Sequence, residues 1–318
     1  MNLMERAGKR LRLAPGKSLV EKAADRLTSE TGAAAPGPEA LLPPDPGPAA
    51  LWSADPLRAP EPRRPTQRQF SLDLDRLRAM GYTTPGDQST LAEEFRLIKR
   101  PLLDNSIGRG LPRSDNANLI MVTSAGPNEG KTFVAINLAM SIASEHNVHV
   151  LLIDADVVNP TVPLVLGFDA QLGMIDVVGD PSIELADVMV RTNIDNLTIL
   201  PAGQFTPLAN ELLASAQMTT FVDDIARRYS DRIIIFDSPP VLARTEPTVL
   251  ARHVGQIVFV VEAEKTSRTS IGDALRLIDA NKSVRIVLNK VPSVFTRDGF
   301  GQYYNYGYYR ARTRPDGK

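Results

Sequence analysis

Residues 125–132 read AGPNEGKT, directly after the apolar run NLIMVTS and directly before the helix-like stretch FVAINLAMSIASE. The pattern is A-x-x-x-x-G-K-T, a phosphate-binding loop with Ala125 in place of the usual first glycine. A tight turn through Gly126, Pro127, Asn128, Glu129 and Gly130 aims backbone N–H groups inward at phosphate oxygens. The helix that follows, opening through Phe133, adds partial positive charge at its N-terminus. Gly130 lets the backbone come close, Lys131 neutralises the β- and γ-phosphates, and Thr132 offers its hydroxyl to Mg²⁺. A chance match to so short a pattern is common, but one at a strand-to-helix junction is much less so.

Two further apolar runs end in carboxylates. VLLIDAD carries Asp154 and Asp156, two residues apart and so on one side of an extended chain, and RIIIFDSPP carries Asp237. Carboxylates at the C-terminal ends of parallel strands lie on the edge where such sheets bind ligands, and one of them there can organise Mg²⁺. A helix N-cap accounts for any one of the three, but poorly for all three beside a phosphate loop. ATP and Mg²⁺ are therefore the expected ligands.

A third feature lies in GQYYNYGYYRAR. Five of the seven tyrosines, Tyr303, Tyr304, Tyr306, Tyr308 and Tyr309, fall within seven residues flanked by glycines and arginines. Aromatic side chains normally serve a core, and this segment is a poor core element. Either it binds something or something acts on it.

The elements that must position these groups follow from periodicity. Six short β-branched runs, NLIMVTS, VHVLLID, NLTILPA, RIIIFD, GQIVFVVE and VRIVLNK, alternate with helical segments. Strands apolar at nearly every position belong inside a mostly parallel sheet covered on both faces. The expectation is a doubly wound α/β domain of the phosphate-loop type over residues 115–292. Ahead of it, STLAEEFRLIKRPLL places Leu91, Phe95, Ile98 and Leu102 on one helical face. Thr90 and Glu93 form a capping-box start, and Pro101 should kink or end the helix. Glu93, Arg96 and Lys99 read as a solvated face with local ion pairs. Ten of the 25 prolines fall between Thr31 and Thr66, which predicts a largely disordered linker over 31–86. Residues 1–30 hold a short helical pattern (Leu19, Val20, Ala23, Leu27), residues 87–114 the amphipathic helix, and 293–318 the flexible tyrosine tail.

Composition narrows the classes. The net charge of −1 gives no global attraction to nucleic acid or an anionic membrane. With no cysteine, disulfides and cysteine chemistry are excluded, in keeping with a cytoplasmic protein. The N-terminus MNLMERAGKRLRLAPG lacks the apolar segment of a signal peptide, and no run approaches the roughly 20 apolar residues of a membrane span. Any work at a membrane therefore requires a partner. His146 and His149 read as a loop after a helix, not as a metal site.

Taken together, these motifs resemble the bacterial tyrosine kinases, phosphate-loop enzymes unrelated to the eukaryotic protein-kinase fold. The likeness is closest to the exosortase-associated (PEP-CTERM) tyrosine autokinases of exopolysaccharide systems. It is carried by SLVEKAADRL, AEEFRLIKRPLL, SAGPNEGKT, LLIDADVVNP, LPAG, NELLAS, RIIIFDSPP, LNK and the tyrosine tail. The resemblance implies an ATP-dependent autokinase that phosphorylates its own tyrosine cluster, in trans within a ring-like homo-oligomer. Asn289 matches an asparagine that reads the adenine edge, and Glu93, Arg96 and Lys99 match an E-x-x-R-x-x-R oligomerisation helix with Lys in the last place. Lysine lacks arginine's bidentate fork. Implied partners are the chain itself, the cytoplasmic segment of a membrane polysaccharide co-polymerase that recruits it to the plasma membrane, and a tyrosine phosphatase.

The resemblance implies a catalytic set of Lys131, Asp154, Asp156 and Asp237, with Thr132, Asp156 and Asp237 at the metal, and within it Asp154 is the expected carboxylate that orients the phenol or takes its proton. The tail lies about 13 residues beyond Lys290, a reach of at most roughly 45 Å. Each phosphotyrosine adds about −1.5 to −2 charges, so full modification should drive the tail from an acidic site. The chain departs from the resemblance at Val158 and Asn159, where basic residues are usual. Two other readings fit part of the pattern: a partitioning-type ATPase, and a nucleotide-switched scaffold for the co-polymerase. The first expects a lysine where Gly126 stands.

Overall fold

β-branched runs with no polar face need cover on both sides, and the chain supplies it. The computed structural model describes residues 68–107, 115–204, 206, 209–279 and 281–292; the tyrosine cluster and residues 1–67 lie outside the described residues. The chain starts with β1 (Arg68–Phe70), α1 (Leu74–Ala79) and α2 (Thr90–Ile107). β2 (Leu119–Ser124), α3 (Lys131–Ala143), β3 (His149–Asp154), α4 (Val162–Leu166), α5 (Met174–Gly179) and α6 (Leu185–Val188) follow. Then come β4 (Val190–Thr192), β5 (Leu197–Leu200), α7 (Ala209–Leu213), α8 (Ala216–Arg228) and β6 (Arg232–Asp237). α9 (Glu246–His253), β7 (Gln256–Glu262), α10 (Arg268–Arg276) and β8 (Ser283–Asn289) complete the described elements.

The strands form one sheet in the order β1-β4-β5-β3-β6-β2-β7-β8. Every neighbouring pair is parallel except β4 with β5. The expected doubly wound, mostly parallel fold is thus present, and all six anticipated strands are found. Successive β2 side chains show the two-residue period: Leu119 and Met121 enter one apolar layer, Ile120 and Val122 the other. The first layer lies under α5–α10, and the second lies under α1–α4. Phe236 and Phe259 are fully buried in the first layer, each contributing on the order of 1.5–3 kcal/mol.

Residues 68–86 overturn the expected linker boundary at 86. β1 pairs with β4, and Leu72, Leu77 and Tyr82 enter the second layer. The Asn193 side chain holds the incoming chain by accepting from Leu72 N–H at 2.9 Å and donating to Leu72 O at 3.2 Å. Thr83 is held likewise, its N–H donating to Asn137 Oδ1 at 2.7 Å. The domain therefore begins at β1 and not at residue 115. β1 and β4, of three residues each, were too short to give a periodic signal.

α2 differs from expectation in two ways. Of the kink or end expected at Pro101, the end does not occur: the helix runs on to Ile107, with Phe95 and Leu102 buried in the second layer. The carbonyl that loses its donor belongs to Leu97, an exposed residue. The start is capped by Ser89, whose Oγ accepts from Ala92 N–H at 3.2 Å, and not by Thr90. Among the described residues, no helix is long and apolar enough to cross a membrane.

Candidate active site

The loop between β2 and α3 turns on Gly130, which caps the helix at φ +95°. A side chain there would be strained by the backbone alone. Its Cβ would also come 2.0 Å from Asn289 Nδ2, which donates to Glu129 O at 2.9 Å. Gly130→Ala should break that bond and lower stability by about 1–3 kcal/mol. A thermal melt reads this, and an unchanged melting temperature would contradict the close packing.

The loop is braced from the outside, in ways its own pattern did not reveal. Glu129 is buried; its Oε2 accepts from Gly126 N–H at 3.0 Å and its Oε1 from Thr266 Oγ1 at 2.6 Å. Ser124 Oγ donates to Gly126 O at 2.7 Å. Lys290, just after β8, donates to Asn128 O at 2.6 Å and pairs with Glu262 at 3.2 Å. Asn289 and Lys290 thus hold two successive loop carbonyls, those of Glu129 and Asn128. Asn289 itself is bonded to the loop and does not line the cleft, which Lys290 does.

That cleft has a volume of about 730 Å³. Pro127, Asn128, Gly130, Lys131, Thr132 and Phe133 form one wall, with Asp156, Asn159, Thr161, Arg244 and Lys290 around them. Its size suits a nucleotide. The sheet delivers the carboxylates: β6 lies between β2 and β3, in register with Asp237 beside Val122 and directly opposite Asp154.

The three aspartates are not equivalent. Asp156 lines the cleft, and its Oδ1 accepts from Asn159 N–H at 3.0 Å. Asp154 is fully buried, accepting from Asp156 N–H at 3.2 Å and Val162 N–H at 3.0 Å. Burial, then the neighbouring Asp237, raise its pKa well above the usual carboxylate range. Asp154, the carboxylate expected to meet the acceptor, is not among the residues lining the cleft. Each of its oxygens accepts one N–H from the turn that presents Asp156.

Asp237 is buried with neither oxygen hydrogen-bonded, for the adjacent Thr132 hydroxyl is engaged with Thr161 Oγ1 at 2.9 Å. Burial pushes its pKa up to about 7, against the pull of Thr132 and Lys131. Lys131 is lowered by burial, which Asp237, Asp156 and Glu129 oppose. A buried carboxylate with two unpartnered oxygens beside the Thr132 hydroxyl fits a hard cation. Among the described residues no group of three or more His, Asp or Glu side chains could hold a metal alone.

The polar face of α2 is divided. Arg96 pairs with Glu93 and donates to Asp87 O at 2.8 Å, both side chains reaching solvent. Lys99 instead is only 5% exposed, pairing with Glu145 at 2.7 Å and donating to Ser141 O at 2.6 Å. The expected solvated stripe is corrected at this residue: α2 turns Lys99 against the end of α3, where its charge is spent within the chain.

The AAA domain family (AAA_31) matches residues 118–289. The chain is 32% identical over 203 residues to the tyrosine-protein kinase wzc of Salmonella typhimurium, covering 63% of this chain and 27% of that protein. It is 28% identical over 222 residues to the tyrosine-protein kinase YwqD of Bacillus subtilis, covering 70% and 87%. It thus spans about a quarter of the length of the first relative. The kinase domain of the Escherichia coli tyrosine kinase ETK superposes with a TM-score of 0.56 at 25% identity, over 67% of this chain and 80% of that one.

Proposed function

The chain belongs to the AAA domain family, and from that premise we propose that it is an ATP-dependent protein-tyrosine kinase acting on its own C-terminal tyrosines. The observation that carries the reading is the phosphate-loop cleft, with Lys131 and Asp156 on its wall and an unpartnered Asp237 behind it. The names of its relatives and the tyrosine cluster support the choice of acceptor.

ATP lies with its phosphates against the loop N–H groups and Lys131. Mg²⁺, when bound, neutralises the phosphate oxygens, and Thr132 and Asp237 would hold it. A tyrosine oxygen attacks the γ-phosphorus as the bond to the β–γ bridging oxygen breaks and ADP leaves. The phenolic proton passes to Asp156, expected from sequence at the metal and here the β3-end carboxylate that lines the cleft. Burial raises the Asp156 pKa and so its strength as a base. Asp154 holds the turn behind it. The acceptor is a neighbouring copy's tail in a homo-oligomer, recruited by a membrane polysaccharide co-polymerase and reset by a phosphatase, so that exopolysaccharide synthesis or export is regulated.

Intact-mass spectrometry after incubation with ATP and Mg²⁺ tests this. Several phosphoryl additions are expected, mapping to Tyr303–Tyr309 and absent when the five are changed to phenylalanine. ATP hydrolysis with no addition to tyrosine, even with the co-polymerase segment supplied, would overturn the kinase reading.

A further inference from the structure

The resemblance expects basic residues at positions 158 and 159, where this chain has Val158 and Asn159. The structure shows what else borders that place. Asn159 lines the cleft, and so does Arg244, from the segment joining β6 to α9. Three cations border the cleft: Lys131, Lys290 and Arg244. Lys290 is committed to Asn128 O and Glu262. Lys131 belongs to the phosphate loop. Arg244 is half-buried and takes no hydrogen bond or ion pair among the described residues. It sits close enough for its charge to act on Asp156.

A partly desolvated guanidinium without a partner, beside a loop built for phosphate, lacks its anion. Its planar fork matches two phosphate oxygens better than a lysine would. We propose that Arg244 grips the γ-phosphate of ATP, supplying from the β6–α9 segment the positive charge that positions 158 and 159 lack. The proposal rests on nucleotide binding at this cleft and not on tyrosine as the acceptor. Asp156 then has a cation on either side, Lys131 and Arg244, and the γ-phosphate is held opposite the loop that cradles the rest.

The test compares Mg²⁺-dependent affinities of the full chain for ADP and for a non-hydrolysable ATP analogue. Arg244→Ala should weaken the analogue about ten- to a hundredfold and leave ADP within about twofold. Arg244→Lys should fall between. Arg244→Ala combined with Asn159→Arg should regain most of the loss, because position 159 borders the same cleft. An unchanged ratio of the two affinities in Arg244→Ala overturns the grip on the γ-phosphate. A double variant no better than Arg244→Ala overturns the replacement of the missing basic residues. A wild type that binds neither nucleotide defeats the proposed function itself, whereas a wild type that binds both but phosphorylates nothing leaves the Arg244 assignment standing.

Discussion

Lys131→Met should lower tail phosphorylation by about 10²–10³-fold or more, with a melting temperature no lower than that of the wild type. The rate effect follows from the role of the ammonium. Phosphoryl transfer relies on positioning and charge stabilisation, and loss of one well-aimed cation or donor removes about that much. The stability effect follows from its surroundings. Lys131 makes no hydrogen bond or ion pair among the described residues, and burial already depresses its pKa. Methionine keeps the length of the side chain without the desolvated charge. Opposing this, Lys131 is one of the groups that restrain the pKa of Asp237, so the gain should be small. Melting curves beside a phosphorylation time course decide it. A variant that melts well below the wild type would give Lys131 a structural role instead.

Asp237→Asn is the second large effect, and it has opposite signs for stability and activity. Both oxygens of Asp237 are buried and unpartnered, and its pKa in the fold is about 7 against an ordinary 3.8. The native state therefore holds this proton more tightly than the unfolded chain does. Its contribution is fully favourable below about pH 4 and is lost as the pH rises to about 7, with no further change above. Asparagine cannot ionise, so the variant lacks that decline. In EDTA without nucleotide, the stability of the variant relative to the wild type should climb across that window. Above it, the gain should reach roughly 1–3 kcal/mol after allowing for a buried amide with no partner. Phosphorylation with Mg²⁺ should meanwhile be lost. Denaturant unfolding at about pH 5 and about pH 8 measures the difference; a gap that is constant with pH would disprove the buried ionisation.

The parts legible in the sequence were those in which cause and effect lie within a few residues. The phosphate loop, the strand-end aspartates and six strands each carry their own local pattern. The braces of the loop do not: Glu129 meets Thr266, and Lys290 meets Asn128, across 137 and 162 residues respectively. Only the placing of β7 beside β2, and β8 beside β7, brings them together. Arg244 was silent for the same reason. The two aspartates of D-x-D look alike in sequence, and only the fold shows that the backbone N–H groups of Asp156 and Val162 bond to Asp154 while Asp156 lines the cleft. Residues 68–86 followed a proline-rich stretch and took its character, although Leu72, Leu77 and Tyr82 were apolar anchors all along.

The order of strands has a mechanical consequence. β1 occupies one margin of the sheet, and five strand-to-strand steps, about 24 Å, separate it from β2, which feeds the phosphate loop. Tension applied ahead of Arg68 is taken up first by β4 and by the amide of Asn193, as a mooring takes the load at the side of a hull. At the opposite margin, the residue that precedes Val291 already grips Asn128. A tug on the N-terminal side is thus first borne far from the phosphate loop, while a tug beyond Val291 acts on that loop through Lys290 and Asn289.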